Sequence, residues 1–191
     1  MAVIVKAAPR TVGPNPPGLA MVIPIPADQI ISMPEYVPNG ELDDDLLVLN
    51  DATVHAFWVH DLGGEFEERL RVNSAGGYYD VSVEFLHVGP EAESDAIFRP
   101  WKGREFCLLA TTNQGKRLLI GSKERPLQVE IRKTTGSLSG LYGYRLSFQG
   151  EQLWPAPRMI GEFVGGNPEV PPAEQQMIDW SEYDFTYMDF Y

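Results

Sequence analysis

Residues 78–88 read Tyr78-Tyr79-Asp80-Val81-Ser82-Val83-Glu84-Phe85-Leu86-His87-Val88. Tyr79, Val81, Val83 and Phe85 alternate with Asp80, Ser82 and Glu84. A period of two sends the apolar side chains to one face and the polar ones to the other, which predicts a half-buried β-strand. The turn residues Ala75-Gly76-Gly77 stand before it, and Leu70 and Val72 lie at strand spacing just upstream. The pair predicts a hairpin. Toward the N-terminus, residues 53–59 (Thr53-Val54-His55-Ala56-Phe57-Trp58-Val59) predict a more fully buried strand, closed by Gly63-Gly64. Toward the C-terminus, 106–111 and 117–120 flank Asn113-Gln114-Gly115, a tight-turn signal. Leu127, Val129 and Ile131 then alternate with Gln128, Glu130 and Arg132, and Tyr144, Leu146 and Phe148 with Arg145, Ser147 and Gln149. Residues 105–150 therefore predict a four-strand antiparallel meander. Seven or so short strands spaced by turns give a mainly β fold, an antiparallel β-sandwich or barrel. No long 3.6-residue pattern is present; a short helix is placed around Glu174–Asp179 and, less so, around Asp43–Asn50.

Proline marks where the core begins. Residues 1–40 hold eight of the 16 prolines. Proline fixes its own φ and pushes its predecessor toward extended states, so residues 1–45 predict an extended N-terminal arm. Val22, Ile23, Ile25, Ile30, Ile31 and Met33 need cover, so the arm must lie on a surface, its own or a partner's. Residues 46–158 are assigned to the β core and 159–191 to an acidic C-terminal arm.

The chain has 191 residues and a formal net charge of -12. Such a balance disfavours indiscriminate binding to nucleic acid or anionic lipid. The charge is uneven: residues 101–158 hold ten basic against four acidic side chains, net +6, and 159–191 hold seven acidic and no basic ones. A second acidic cluster, Glu41, Asp43, Asp44 and Asp45, precedes the core. Either these are solvated segments, or acidic arms dock on basic faces. The basic face consists of Lys116, Arg117, Lys123, Arg125, Arg132, Lys133 and Arg145. No run approaches 18 apolar residues, so no membrane span is expected. The first ten residues have the wrong order and length for a secretory signal, which points to an intracellular site of assembly.

Chemistry-bearing residues are sparse. His55 and His60, five apart on a strand, would point to opposite faces and not share a metal. His87 continues the apolar face of its strand and is expected to pack there. Cys107, the single cysteine, sits in an apolar run and is expected to be a buried, inert thiol. The glycine-rich residues 136–143 lack the lysine of a phosphate loop and the strand-to-helix setting of a nucleophile elbow. Asp43-Asp44-Asp45 lacks the spacing of a calcium loop. No catalytic residue, metal or cofactor is assigned, and the chain is not expected to be an enzyme. The last twelve residues are the most unusual: Trp180, Tyr183, Phe185, Tyr187, Phe190 and Tyr191 are interleaved with Glu182, Asp184 and Asp189. They suit either a final strand of the chain's own sheet or a peptide that docks on a partner.

Residues 111–121 (Thr-Thr-Asn-Gln-Gly-Lys-Arg-Leu-Leu-Ile-Gly), Pro126-Leu127-Gln128-Val129, Thr135-Gly136, residues 143–148 and Trp154-Pro155-Ala156-Pro157 together resemble uncharacterised phage and prophage proteins of the Bacteroides group. The likeness covers residues 106–158, and its motifs are mostly turns and strand faces. It implies a virion or tail-associated structural component, found in the virion and assembled in the host cytoplasm. Its partners would be copies of itself and other virion proteins, with no membrane. The runner-up is a single-stranded nucleic-acid-binding protein, whose backbone track would be the basic face, whose stacking residues would be Tyr142, Tyr144 or Trp101, and whose tail would recruit partners. A carbohydrate-binding sandwich would need an exposed aromatic platform.

Overall fold

The computed structural model describes residues 18–35, 40–42, 46–48, 53–59, 64–74, 76–88, 91–134, 143–161, 163–164 and 167–169. The fold is mainly β, a curled open sheet in the form of a half-barrel. In chain order the strands are β1 Leu19–Pro26, β2 Ile30–Ser32, β3 Glu41–Leu42, β4 Leu46–Val48, β5 Thr53–His55, β6 Phe57–Trp58, β7 Glu65–Asn73 and β8 Gly76–His87. A helix, α1 Glu91–Phe98, and a 3-10 turn Arg99–Trp101 follow. The remaining strands are β9 Glu105–Thr112, β10 Arg117–Ile120, β11 Leu127–Thr134, β12 Gly143–Gln152, β13 Arg158–Met159, β14 Phe163–Val164 and β15 Asn167–Glu169.

The hairpin is β7–β8, in register from Glu65↔Glu84 to Asn73↔Gly76. The segment assigned to an N-terminal arm contributes more than cover. Leu19–Pro26 is extended, and it runs antiparallel along the whole of β9, from Leu19↔Thr112 to Pro26↔Phe106. On its other edge it pairs with β6 at Met21↔Trp58 and Val22↔Phe57.

The four strands β9 to β12 do not form a simple meander. β10 pairs with β9 (Ile120↔Leu108), but β11 pairs with β9 as well (Leu127↔Phe106) and then with β12. Because β1 occupies one edge of β9 over its full length, β10 and β11 share the opposite edge end to end. The physical reason lies at residues 121–126. Gly121 has φ +88°, a conformation that L side chains rarely adopt, and a Cβ there would already be in van der Waals contact with Cys107 Cα and the Phe106 carbonyl at 3.4 Å. Ser122 and Arg125 then exchange backbone hydrogen bonds of 3.1 and 3.2 Å. This tight loop lets the chain step out of the ladder at Leu108 and rejoin it two residues along, at Phe106. The sheet forks there, with β13 and β3 beyond β10, and β12, β8 and β7 beyond β11.

β9 is buried on both faces, and so it separates two cores. Phe106, Leu108 and Ala110 face one core with Val22, Phe57, Val83, Phe85, Leu146 and Phe148. Cys107 and Leu109 face the other, with Ile23, Ile25, Leu42, Leu46, Val54, Leu119 and Met159. Residues 53–59 divide the same way by simple alternation, with Val54 and Ala56 in the second core and Phe57 and Val59 in the first.

Helix α1 was not anticipated from periodicity. Its signals are local: Pro90 precedes it, and Glu91 and Glu93 occupy the first turn, where the helix dipole favours negative charge. It buries Ser94 and Phe98, one turn apart, and Phe98 and Trp101 pack into the first core.

The two segments flanking the core pair with each other. β3, β4 and β5 run parallel to β13, β14 and β15, through Arg158↔Glu41, Phe163↔Leu46 and Asn167↔Thr53. Of the expected helix at 43–50, residues 46–48 are strand, and the rest lies outside the described residues. His60, the glycine-rich loop 135–142 and the helix proposed near 174–179 also lie outside them.

Candidate functional site

The seven residues of the expected basic face all lie among the described residues. Lys116 and Arg117 sit at the β9–β10 turn. Lys123 and Arg125 sit at the opposite end of β10. Arg132 and Arg145 face each other across β11 and β12. Lys133, next in sequence, points to the other side and meets Glu91 and Asp95 of α1. The seven side chains therefore fall at four separated places and do not form one stripe. Several are matched by carboxylates: Arg145 bonds Glu84 at 2.7 Å, Arg132 bonds Glu130 at 2.8 Å, and Lys133 is held well above the ordinary lysine range chiefly by Glu91. Arg117 donates to the Ile160 carbonyl at 3.0 Å. The stacking residues of the nucleic-acid reading are core residues: Trp101 is 5% exposed and Tyr144 3%. Trp101 packs on Phe98 and Phe106 with ring centroids 5.2 and 4.7 Å apart. Tyr142 and the tail aromatics Trp180, Tyr183, Phe185, Tyr187, Phe190 and Tyr191 lie outside the described residues.

His87 packs edge-on against Phe57 and Phe98, with ring centroids 5.1 and 5.8 Å away. Its Nε2 lies 3.1 Å from the Ser94 hydroxyl, and burial holds its pKa below the ordinary 6.5. The neighbouring Tyr144 hydroxyl donates to Asp95 at 2.6 Å. These polar contacts anchor α1 to β8 and β12. Cys107 is fully buried, and desolvation pushes its thiol up to about 12, where it is protonated and inert. Among the described residues no group of three His, Cys, Asp or Glu side chains is placed to hold a metal. None of their helices is long and apolar enough to cross a membrane.

Two surfaces stand out instead. The first is the rim strand β7. The path of the main sheet ends on it, so its outer edge has no strand partner among the described residues. At its tip Leu70 and Val72 are 59% and 77% exposed. Glu65, Glu67, Arg69 and Arg71 cover its outer face, and Arg71 bonds Asp80 at 2.9 Å. The second is a cleft of about 400 Å³ where β10 meets the segment after β12. Leu42, Leu119 and Ile120 form its floor, and Leu153, Trp154 and Pro155 one wall. Leu153 and Trp154 are 50% and 57% exposed. The wall is fixed from behind. Ala156 N–H donates to Glu68 at 2.7 Å, Gln152 Nε2 to the Arg125 carbonyl at 2.8 Å, and Leu119 N–H to the Pro157 carbonyl at 3.1 Å. Burial raises the Glu68 carboxyl above its ordinary value, and the Ala156 N–H partly offsets this.

Neither surface was assigned from sequence. The one signal that could have pointed to the cleft is Trp154 among prolines, since a large aromatic beside Pro155 and Pro157 has no strand to bury it. Comparison with known families, curated proteins and solved structures gives no match.

Proposed function

We propose that the chain is a structural, non-enzymatic component of a phage particle, in the tail or the head–tail connection, that assembles through its β core and terminal arms. The observation that carries this reading is the open half-barrel, whose rim β7 offers nine residues of strand edge beside the exposed Leu70 and Val72. A curled sheet whose rim has no strand partner among the described residues is one that a neighbouring chain can extend, and repetition of a head-to-tail contact closes a ring. The charges on β7 restrict indiscriminate pairing and so favour one register. The acidic aromatic residues 180–191 would add a second contact to the neighbour. The resemblance over 106–158 gives the particle context. The nucleic-acid reading gains no support, because Trp101 and Tyr144 are buried and the basic side chains are dispersed.

Light scattering of the full-length chain over a range of concentration and salt tests this reading. The expected mass is a multiple of 21.3 kDa. Leu70→Lys with Val72→Lys should return the chain to its single mass. A full-length chain that stays monomeric at every concentration overturns the reading.

A further inference from the structure

The cleft beside Trp154 is preformed, apolar and open. Its floor is buried, its wall is pinned at Gln152, Ala156 and Pro157, and yet Trp154 is more than half exposed. A site already held in place binds without the cost of ordering itself. Its rim carries Glu35 and Glu124 against Arg125. The occupant it suits is an extended apolar peptide with prolines, no carboxylates and some positive charge.

One segment of the chain has that chemistry. Residues 1–17 contain Pro9, Pro14, Pro16 and Pro17, the apolar run Val3-Ile4-Val5, the cations Lys6 and Arg10, and no acidic side chain. Proline-rich segments are extended before they bind, and they dock on aromatic-lined grooves with little entropy loss. We propose that the Trp154 cleft is the docking site of residues 1–17 of this protein. Reach allows it. Gly18, where the segment joins the fold, accepts a hydrogen bond from Asn113 N–H at 3.2 Å at the start of β1. The cleft lies toward the other end of the sheet. The eight residues of β1 cover about 26 Å, and 17 extended residues span roughly 55–60 Å. The C-terminal segment 170–191 is the poorer candidate: it brings five carboxylates and no cation to a rim that already bears two. That the arm comes from a neighbouring copy rests on the assembly proposed above; the occupant does not.

The test places the photoreactive residue p-benzoylphenylalanine at Leu153 in the full-length chain and maps the adducts by mass spectrometry. Most adducts should fall within residues 1–17. Lys6→Glu with Arg10→Glu should cut their yield at least about fivefold at low salt, an effect that shrinks as salt is added. Adducts on 170–191, adducts elsewhere, no adducts, or a yield indifferent to the charge reversal each overturn the docking site. The mass of the product separates the two proposals. A covalent dimer places the arm on a neighbour. A monomer carrying the 1–17 adduct keeps the docking site and counts against arm exchange between subunits.

Discussion

The strands β9 and β7 belong to one sheet and meet opposite fates. β9 has both edges paired and both faces buried; five of its eight residues, Phe106 to Ala110, are buried in succession. β7 has one edge paired among the described residues, and five of its nine residues are continuously exposed at its tip. The difference shows how the molecule divides its work. β9 is the septum between two cores, so every residue on it is constrained. β7 is a rim, stable because β8 holds it, and its outer edge and tip are left to other tasks. Substitutions should therefore separate cleanly into those that unfold the chain and those that change only what it touches.

The largest expected effect is on the septum. Phe106 is fully buried between Trp101 and Phe148, with ring centroids at 4.7 and 5.7 Å. Phe106→Ala should cost about 3–5 kcal/mol, from lost transfer energy and the cavity left behind. Leu109→Ala, on the opposite face, should cost about 2–5 kcal/mol. Urea unfolding checks both. If either proved near-neutral, that face of β9 would not be packed as a core.

The next effect depends on pH and concerns the contact of α1 with β8. In the folded chain His87 takes up its proton only at a lower pH than the 6.5 of an unperturbed imidazole, because burial disfavours the charged ring. Below 6.5 the unfolded chain therefore binds more protons, and stability falls as pH falls toward the folded value. His87→Phe should lose part of this slope, at the cost of the Ser94 contact. Unfolding midpoints of the two proteins should converge as pH falls from 7.5 toward 5, a range spanning the ordinary imidazole value. Parallel curves would mean that His87 is solvated.

Glu68 gives a smaller effect with the opposite sign of slope. It sits on β7 but faces inward, and burial raises it above 4.5. As pH rises through 4.5 toward that raised value, the folded chain holds a proton the unfolded chain has released, so the carboxylate costs stability once both are ionised. Glu68→Gln keeps an acceptor for Ala156 N–H and removes the charge. It should stabilise the chain at pH 7 by no more than about 0.5 kcal/mol. A net loss of stability at pH 7 would show that the charge-assisted bond to Ala156 outweighs desolvation.

What was legible in the sequence follows from the same contrast. β7, β8, β11 and β12 have one face toward water, so they alternate, and alternation can be read. β1 does not alternate: Val22 serves one core and Ile23 and Ile25 the other, which looks like a generic apolar run. Pro24 and Pro26 argued further against a strand. The structure accommodates them because β6 reaches only Met21 and Val22, so beyond that point β1 needs one fully paired edge and tolerates missing donors on the other. The fork at Gly121 turned on which edge of β9 each strand would use, and residue pattern carries no information on edges. The parallel pairing of 41–55 with 158–169 joins residues more than 110 apart, with no local signal at either end. The cleft arises from that closure, since its floor draws on Leu42 and its wall on Pro157. Its parts were visible singly and their meeting was not.

The smallest effect on stability belongs to the rim tip. Val72 is 77% exposed and Leu70 59%, and their cross-strand partners are Gly77 and Tyr79. Little apolar area is buried there, so Leu70→Lys with Val72→Lys should shift unfolding by only about 0.5 kcal/mol either way. Two such side chains at the end of a strand edge are costly to leave in water if the chain works alone, and useful if a second chain covers them. The pair of measurements therefore decides the comparison. Unchanged unfolding with lost self-association assigns the tip to an interface. Lost stability in the dilute monomer would make β7 part of the core after all, and the contrast between septum and rim would fail.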